Sequence, residues 1–467
     1  MCSLEFSPQY NYGSEVFYMN NNRKLAPLEQ AMEIMHRHAG PSVIIVASRI
    51  KGSLKEEIVR QALDLLQCHH PRLNSRIVDS SDSLRFETEA TLKIPLRVVN
   101  KFHNEQWQEV FEEEMNEKFD SSQYLLRTTL VQIENENSTT YLLTTIHHAI
   151  ADALSSIQLH SQILTYCKNL TSKEEVTKVA SLPELPPVEE LVPKSMKGFT
   201  GAIHSVLFLL REVFQKFWYR PKNLGFEQYV PIELWRGSMI HKQLDPQLTQ
   251  QLVNLCRKEG TTVHGALCAA MLFAAAKKMT AGNRSDVRVN CISPIDLRKR
   301  LQPVVGNEHL STLVGGVTSF HILRVHTSFW ELARDVKQQL EAGIKRNDIF
   351  SDGLMFRNIV EFFLSSQSNE VCATVLLTNI GRVNIPKAYD PFILEEISFA
   401  PAARGLCGVF SAAVASFEDK MLLNFLFSEP SISRDTMESL VDSVMSCLVK
   451  VCVWQSREQL YSPLDTE

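Results

Sequence analysis

Two apolar, β-branched runs at 126–133 and 140–146 flank a turn-like stretch at 135–138, and this pattern predicts a β-hairpin. Strand side chains alternate, so Tyr141, Leu143, Thr145 and His147 face one way while Leu142, Thr144, Ile146 and His148 face the other. Directly after the second run, Leu154, Ile157, Ser161 and Leu164 recur at helical spacing, which puts Asp152 at the mouth of a helix. Two imidazoles and a carboxylate therefore gather in His147-His148-Ala149-Ile150-Ala151-Asp152, where a buried strand ends.

The rest of the chain alternates between the two periods. An apolar strand at 43–47 precedes a helix at 54–68. At 181–195, Pro183, Pro186, Pro187 and Pro193 alternate with Glu184, Glu189 and Glu190, which predicts a stiff, extended connector between two mixed α/β halves. In the second half a strand at 239–244 leads to a helix capped by Asp245 with Pro246 in its first turn and stopped by Gly260. Thr261 or Thr262 caps an alanine-rich helix. Strands follow at 287–292, 317–325, 374–377 and 393–399, a hairpin at 409–428 turns at 418–420, and helices run over 329–344 and 434–451. No repeat is visible. The expected organisation is a lobe over 1–180 carrying the His-His-Asp segment, a connector with an amphipathic helix over 181–237, and a second lobe over 238–467.

Within that connector, residues 196–218 place Phe199, Ile203, Leu207, Leu210, Phe214 and Phe217 on one helical face, broken by Lys197, Arg211, Glu212 and Lys216. The apolar run is too short to span a bilayer. Packing of the stripe onto the core is the favoured expectation. An interfacial helix that meets a membrane or a greasy substrate is the alternative.

Composition adds exclusions. The chain has 467 residues, 44% hydrophobic, 18 Gly, 19 Pro and a net charge of −5, as a soluble globular protein of two or three domains would. No basic block argues for nucleic acid. The ten cysteines are scattered through apolar runs, the usage of reduced, buried thiols, and the first residues show no basic segment followed by an apolar one. A cytoplasmic monomer is the expectation.

The site residues also have bland readings. Asp152 can serve simply as an N-cap, and a lone histidine is more often a satisfied polar group than a catalyst. His148 and Asp152 are four apart, as metal ligands on one helix face could be, but no third ligand, HExxH, paired CxxC or carboxylate cluster lies nearby, so no metal is expected. No GxSxG elbow supplies a serine nucleophile.

Four segments together resemble the chloramphenicol-acetyltransferase-like superfamily, which includes BAHD acyltransferases, condensation domains of peptide synthetases, and polyketide-associated and alcohol acyltransferases. Leu125-Leu126-Arg127 through Asp152 is similar to that family's hairpin and HHxxxD signature. His70-Pro71-Arg72-Leu73 resembles the segment after its first long helix, and Pro294-Ile295-Asp296-Leu297-Arg298 the strand end that supplies an arginine. Thr378-Asn379-Ile380-Gly381-Arg382 resembles the Ser-Asn-x-Gly-Arg segment of the polyketide-associated and alcohol acyltransferases. Ala153 replaces a common glycine, Asn74 stands where condensation domains usually carry arginine, and the BAHD DFGWG segment is missing. The last two departures favour a stand-alone acyltransferase.

The resemblance implies an α/β fold of two lobes, each a mixed sheet flanked by helices, with a tunnel between them. A thioester of coenzyme A or of an acyl-carrier protein would be the co-substrate, with no bound cofactor, and would meet a hydrophobic alcohol at His148 acting as general base. It implies that Asp152 pairs with Arg298 to hold the loop and that His147 supports it from behind. Thr378 and Asn379 are candidates to bind the oxyanion or line the tunnel, although a simple strand-end turn accounts for them equally well. An amine acceptor, a non-catalytic binding protein of the same fold and a metal-dependent hydrolase are the competing readings.

Overall fold

In the computed structural model the described residues are 22–453 apart from 82, 89–90, 134–138, 173–178, 282–284, 367–370 and 403–407. The expected turn at 135–138, the opening residues read for a signal, and Cys2 and Cys407 lie outside them.

Both halves are mixed α/β, each built on a six-stranded sheet. The first sheet runs, edge to edge, Ala388–Tyr389, Phe392–Ala402, Val43–Lys51, Thr139–His147, Leu126–Ile133 and Leu96–Lys101. Its central strands are buried along nearly their whole length because helices cover both faces. Alternation sorts them as expected: Leu142 and Ile146 join the core under Glu56–His69 and Ala153–Thr171, whereas Tyr141 and Leu143 join Trp107 and Phe111 on the other side. The predicted hairpin forms between Leu126–Ile133 and Thr139–His147 in antiparallel register.

The second sheet runs Val314–Leu323, Val287–Asp296, Val375–Arg382, Phe410–Phe417, Lys420–Glu429 and Arg236–Leu244. Asp245 caps Pro246–Lys258 through Leu248 N, and Thr262 rather than Thr261 caps Val263–Met279 through Gly265 N. The Thr261 hydroxyl instead donates to Ala333 O, tying two helices together.

Three elements differ from the expectation. Phe392–Ala402 does not stay with the second half. It crosses over and pairs antiparallel with Val43–Lys51, giving the first sheet a strand from the far end of the chain. Apolar alternation says only that a strand has a buried face, not which sheet it joins. The connector is not simply extended either: it contains the short helix Val188–Leu191 and is fastened by Arg72 to Glu184 at 2.5 Å and by Gln302 N to Leu191 O at 2.7 Å. Finally, Asp348–Ser366 is a helix that the pattern had not announced. It lies against Val314–Leu323, and a Cβ at Gly315 would collide with the Ile349 carbonyl, so glycine at 315 permits the approach.

The amphipathic helix forms over Gly198–Tyr219, but its apolar stripe is not on the core. Phe199, Leu207, Leu210, Phe214 and Phe217 are exposed, and only Gly201 and Phe208 of this helix are buried. The favoured packing expectation fails because the inward face is the polar one.

Candidate active site

The strand Thr139–His147 delivers its last residue into the packed side of the first sheet. His147 is fully buried, with Nδ1 accepting from Ala149 N at 3.0 Å and Nε2 lying 2.9 Å from Glu33 Oε2. Glu33 is itself held by Arg37 at 2.6 Å and Ser121 at 2.7 Å. Burial opposes its charge, but His147, Ser121 and Arg37 outweigh that and hold its carboxyl at about 2. His36 packs against His147 at a tilt, 4.6 Å between ring centres. Burial, with His147 adjacent, pulls His36 down to about 4, so it is neutral at physiological pH.

The strand ends there and the chain turns over 148–150, so His148 leaves from the opposite side. It keeps partial exposure. Its N–H donates to Ser42 O at 3.0 Å, and its carbonyl accepts from the Thr312 hydroxyl, a group of the second half. Nδ1 is buried without a well-aligned partner. Burial pushes the His148 pKa below its ordinary value, although the carbonyls of His148 and Ala151 and the Asp152 carboxylate favour the charged ring.

Asp152 caps Ala153–Thr171 by accepting from Ser155 N at 3.0 Å. It does more than cap. Arg298 Nη1 reaches Oδ2 at 2.8 Å and Nη2 reaches Oδ1 at 3.0 Å, a bidentate pair, and Leu313 N donates to Oδ2 at 3.0 Å. Both acceptor atoms are thus committed to groups other than His148. Burial would raise the Asp152 pKa, yet Arg298, Ser155 and Leu313 keep it below the ordinary carboxylate value. Arg298 is 1% exposed; burial works against its charge, but Asp152 and Asp296, the latter at 2.9 Å, more than restore it.

The structure therefore brings His147, His148, Asp152 and Arg298 to one junction between the halves. Thr378 and Asn379 lie on Val375–Arg382 in the second sheet, both half-buried. Asn379 Oδ1 accepts from Gly381 N at 2.9 Å, where Gly381 takes φ of +70° and the strand bulges. That oxygen serves a local turn. A crevice beside the motif is lined by Ala149, Ile150, His70, Arg72, Glu184 and His309, so the His70-Pro71-Arg72 segment and the motif meet in one place. Among the described residues, no group of three or more His, Cys, Asp or Glu is gathered as a metal would require.

Several participants were missed. Ser155 stands three residues after Asp152, a capping spacing that was readable. Asp296 stands two residues before Arg298, but its spacing alone assigns it no role. Glu33 and Thr312 are single residues far away in sequence, and only the fold brings them in.

Two families match complementary stretches: the Condensation domain over 31–183, and the phthiocerol/phthiodiolone dimycocerosyl transferase C-terminus over 236–424. A probable alcohol acetyltransferase of Fusarium pseudograminearum is 22% identical over 330 residues, covering 64% of this chain and 65% of that protein's own length. The phthiocerol/phthiodiolone dimycocerosyl transferase of Mycobacterium ulcerans is 22% identical over 338 residues, 70% of this chain and 77% of that one. Among solved structures, the trichothecene 15-O-acetyltransferase of Fusarium sporotrichioides superposes with a TM-score of 0.70 at 12% identity, covering 92% of this chain and 95% of that one.

Proposed function

The chain belongs to the chloramphenicol-acetyltransferase-like superfamily of acyltransferases and condensation domains, and we propose that it is an O-acyltransferase that moves an acyl group from a thioester, of coenzyme A or a carrier protein, to the hydroxyl of a hydrophobic acceptor. One observation carries the reading: at the junction both oxygens of Asp152 are committed to Arg298, Leu313 N and Ser155, while His148 keeps partial exposure and its Nδ1 has no well-aligned partner. Of the two imidazoles, His147 is fully buried, with Nδ1 bonded to Ala149 N and Nε2 facing Glu33 Oε2 at 2.9 Å, whereas His148 keeps partial exposure.

In this mechanism His148 is the general base. With its proton on Nδ1, beside the carbonyls of His148 and Ala151, Nε2 presents a lone pair to the acceptor hydroxyl. As Nε2 takes the proton, the hydroxyl oxygen bonds to the thioester carbonyl carbon and the carbonyl electrons move onto its oxygen. The tetrahedral centre then expels the thiolate, which recovers the proton from the imidazolium. The acceptor attacks directly, so no acyl-enzyme forms. Asp152 and Arg298 are positioning residues that fix the turn, and His147 supports it through Glu33. Thr378 Oγ1 and Asn379 Nδ2 are the donors we assign to the oxyanion.

The match of residues 31–183 to the Condensation domain favours a second reading, in which an amine attacks and an amide results. Incubating the protein and His148→Ala with a panel of acyl-CoA donors and hydrophobic alcohols and amines, with products read by mass spectrometry, separates the two. The proposal expects an ester that requires His148. Amide alone establishes the second reading, and an ester formed equally by the variant removes His148 from the mechanism.

A further inference from the structure

The helix Gly198–Tyr219 is built inside out. Stepping about 100° per residue, Phe199, Ile203, Val206, Leu210, Phe214 and Phe217 centre an arc of about half the circumference. Leu207 and Trp218 bound it on one side and Leu209 and Val213 on the other, and all ten are exposed, Phe199 at 81% and Trp218 at 65%. The opposite face meets the protein through Gly201, Phe208 and polar groups. Arg211 Nη2 sits 2.7 Å from Asp348 Oδ1 on the neighbouring helix Asp348–Ser366, and a Cβ at Gly201 would collide with Met196 O. Glu212 lies on this inner side, where burial, with Asp352 and Asp348 near, pushes it up to about 7. These contacts fix which face points outward.

Charge around the arc is one-sided. Lys194, Lys197, Lys216, Arg220 and Lys222 are exposed along and beyond the helix, and the only carboxylate between residues 194 and 222 is the inward Glu212. An apolar strip of this width and a basic margin with no exposed acid within residues 194–222 match the hydrocarbon boundary and headgroups of an anionic lipid bilayer. A second copy of the same face fits poorly, since an isologous contact would set the two basic margins against each other. Crossing the bilayer is not implied, because no helix among the described residues is long and apolar enough. At about 33 Å the helix can lie flat in the interface.

We propose that Gly198–Tyr219 docks the protein peripherally on anionic lipid membranes, with Phe199, Leu210, Phe214 and Phe217 entering the acyl region and Lys194, Lys216, Arg220 and Lys222 contacting headgroups. The proposal stands on this surface alone and is independent of acyl transfer. It is tested by flotation of the full chain, without substrates, with vesicles of phosphatidylcholine or of phosphatidylcholine and phosphatidylserine mixed about two to one. The wild type floats with the anionic vesicles. Leu210→Glu/Phe214→Glu stays at the bottom while its circular dichroism and melting temperature are unchanged, and Lys216→Gln/Lys222→Gln binds roughly thirtyfold more weakly. A wild type that floats with neither vesicle overturns the proposal. So does a dimer in light scattering that the Leu210→Glu/Phe214→Glu protein loses, because the face then belongs to a second copy.

Discussion

The turn from His147 to Asp152 and the helix Gly198–Tyr219 violate the usual inside-outside rule in opposite directions. In the turn, charged groups are buried and matched: Asp152 meets Arg298 through two short bonds, and Glu33 meets His147, Arg37 and Ser121. In the helix, large apolar groups are exposed and have no described residue covering them. A buried charge that is fully matched holds architecture, so the reactive group at the turn is the one left over, His148. An exposed stripe on a rigid helix marks a surface that awaits a cover.

Substitutions can break the contrast at each end. The largest effect belongs to His148→Ala, which should lower kcat by roughly 10²–10⁴ and leave the unfolding midpoint in urea unchanged, since the side chain anchors nothing. Removing a matched charge should do the reverse. Asp152→Asn or Arg298→Met should cost about 3 kcal/mol of stability, at the low end for a broken buried pair because Asp296 and Leu313 N remain to one partner each. Chemical denaturation measures this directly, and a loss indistinguishable from zero would show the pair to be ornamental.

Acid sharpens the comparison more gently. His36, His70 and His264 are pulled to about 4 and His160 to about 3, chiefly by burial. Each binds a proton in the unfolded chain near 6.5 but not in the folded one, so the unfolded state holds more protons between those values. Stability should therefore fall as pH drops from about 6.5 toward 4, read as a declining melting temperature. Asp152, with its depressed pKa, adds a further loss only below the ordinary carboxylate range. The smallest effect is expected from Leu210→Glu/Phe214→Glu, which should change folding stability by no more than about 0.5 kcal/mol. A large loss there would mean that the stripe packs on protein after all.

What could be read before the fold follows the same division. The hairpin, the strand-to-helix turn and the caps at Asp152 and Asp245 were legible because they depend on neighbours in sequence. The placement of Arg298 was legible only through resemblance, since nothing in the sequence links it to Asp152, 146 residues away. The crossing of Phe392–Ala402 was invisible because partner choice between sheets is non-local. The helix was seen, but its orientation was inverted: an amphipathic period defines two faces and leaves open which one meets the core. Here Arg211, Asp348 and the close approach at Gly201 decided it.

The central claim, that His148 removes the acceptor's proton, is tested most directly by the pH dependence of kcat/KM for the acceptor in wild type and His148→Ala. Burial holds the His148 pKa below 6.5, so the wild-type profile should rise with pH through a single limb whose midpoint lies below that value and then level off. The limb should vanish in the variant. A limb that survives unchanged in His148→Ala would assign the base to another group.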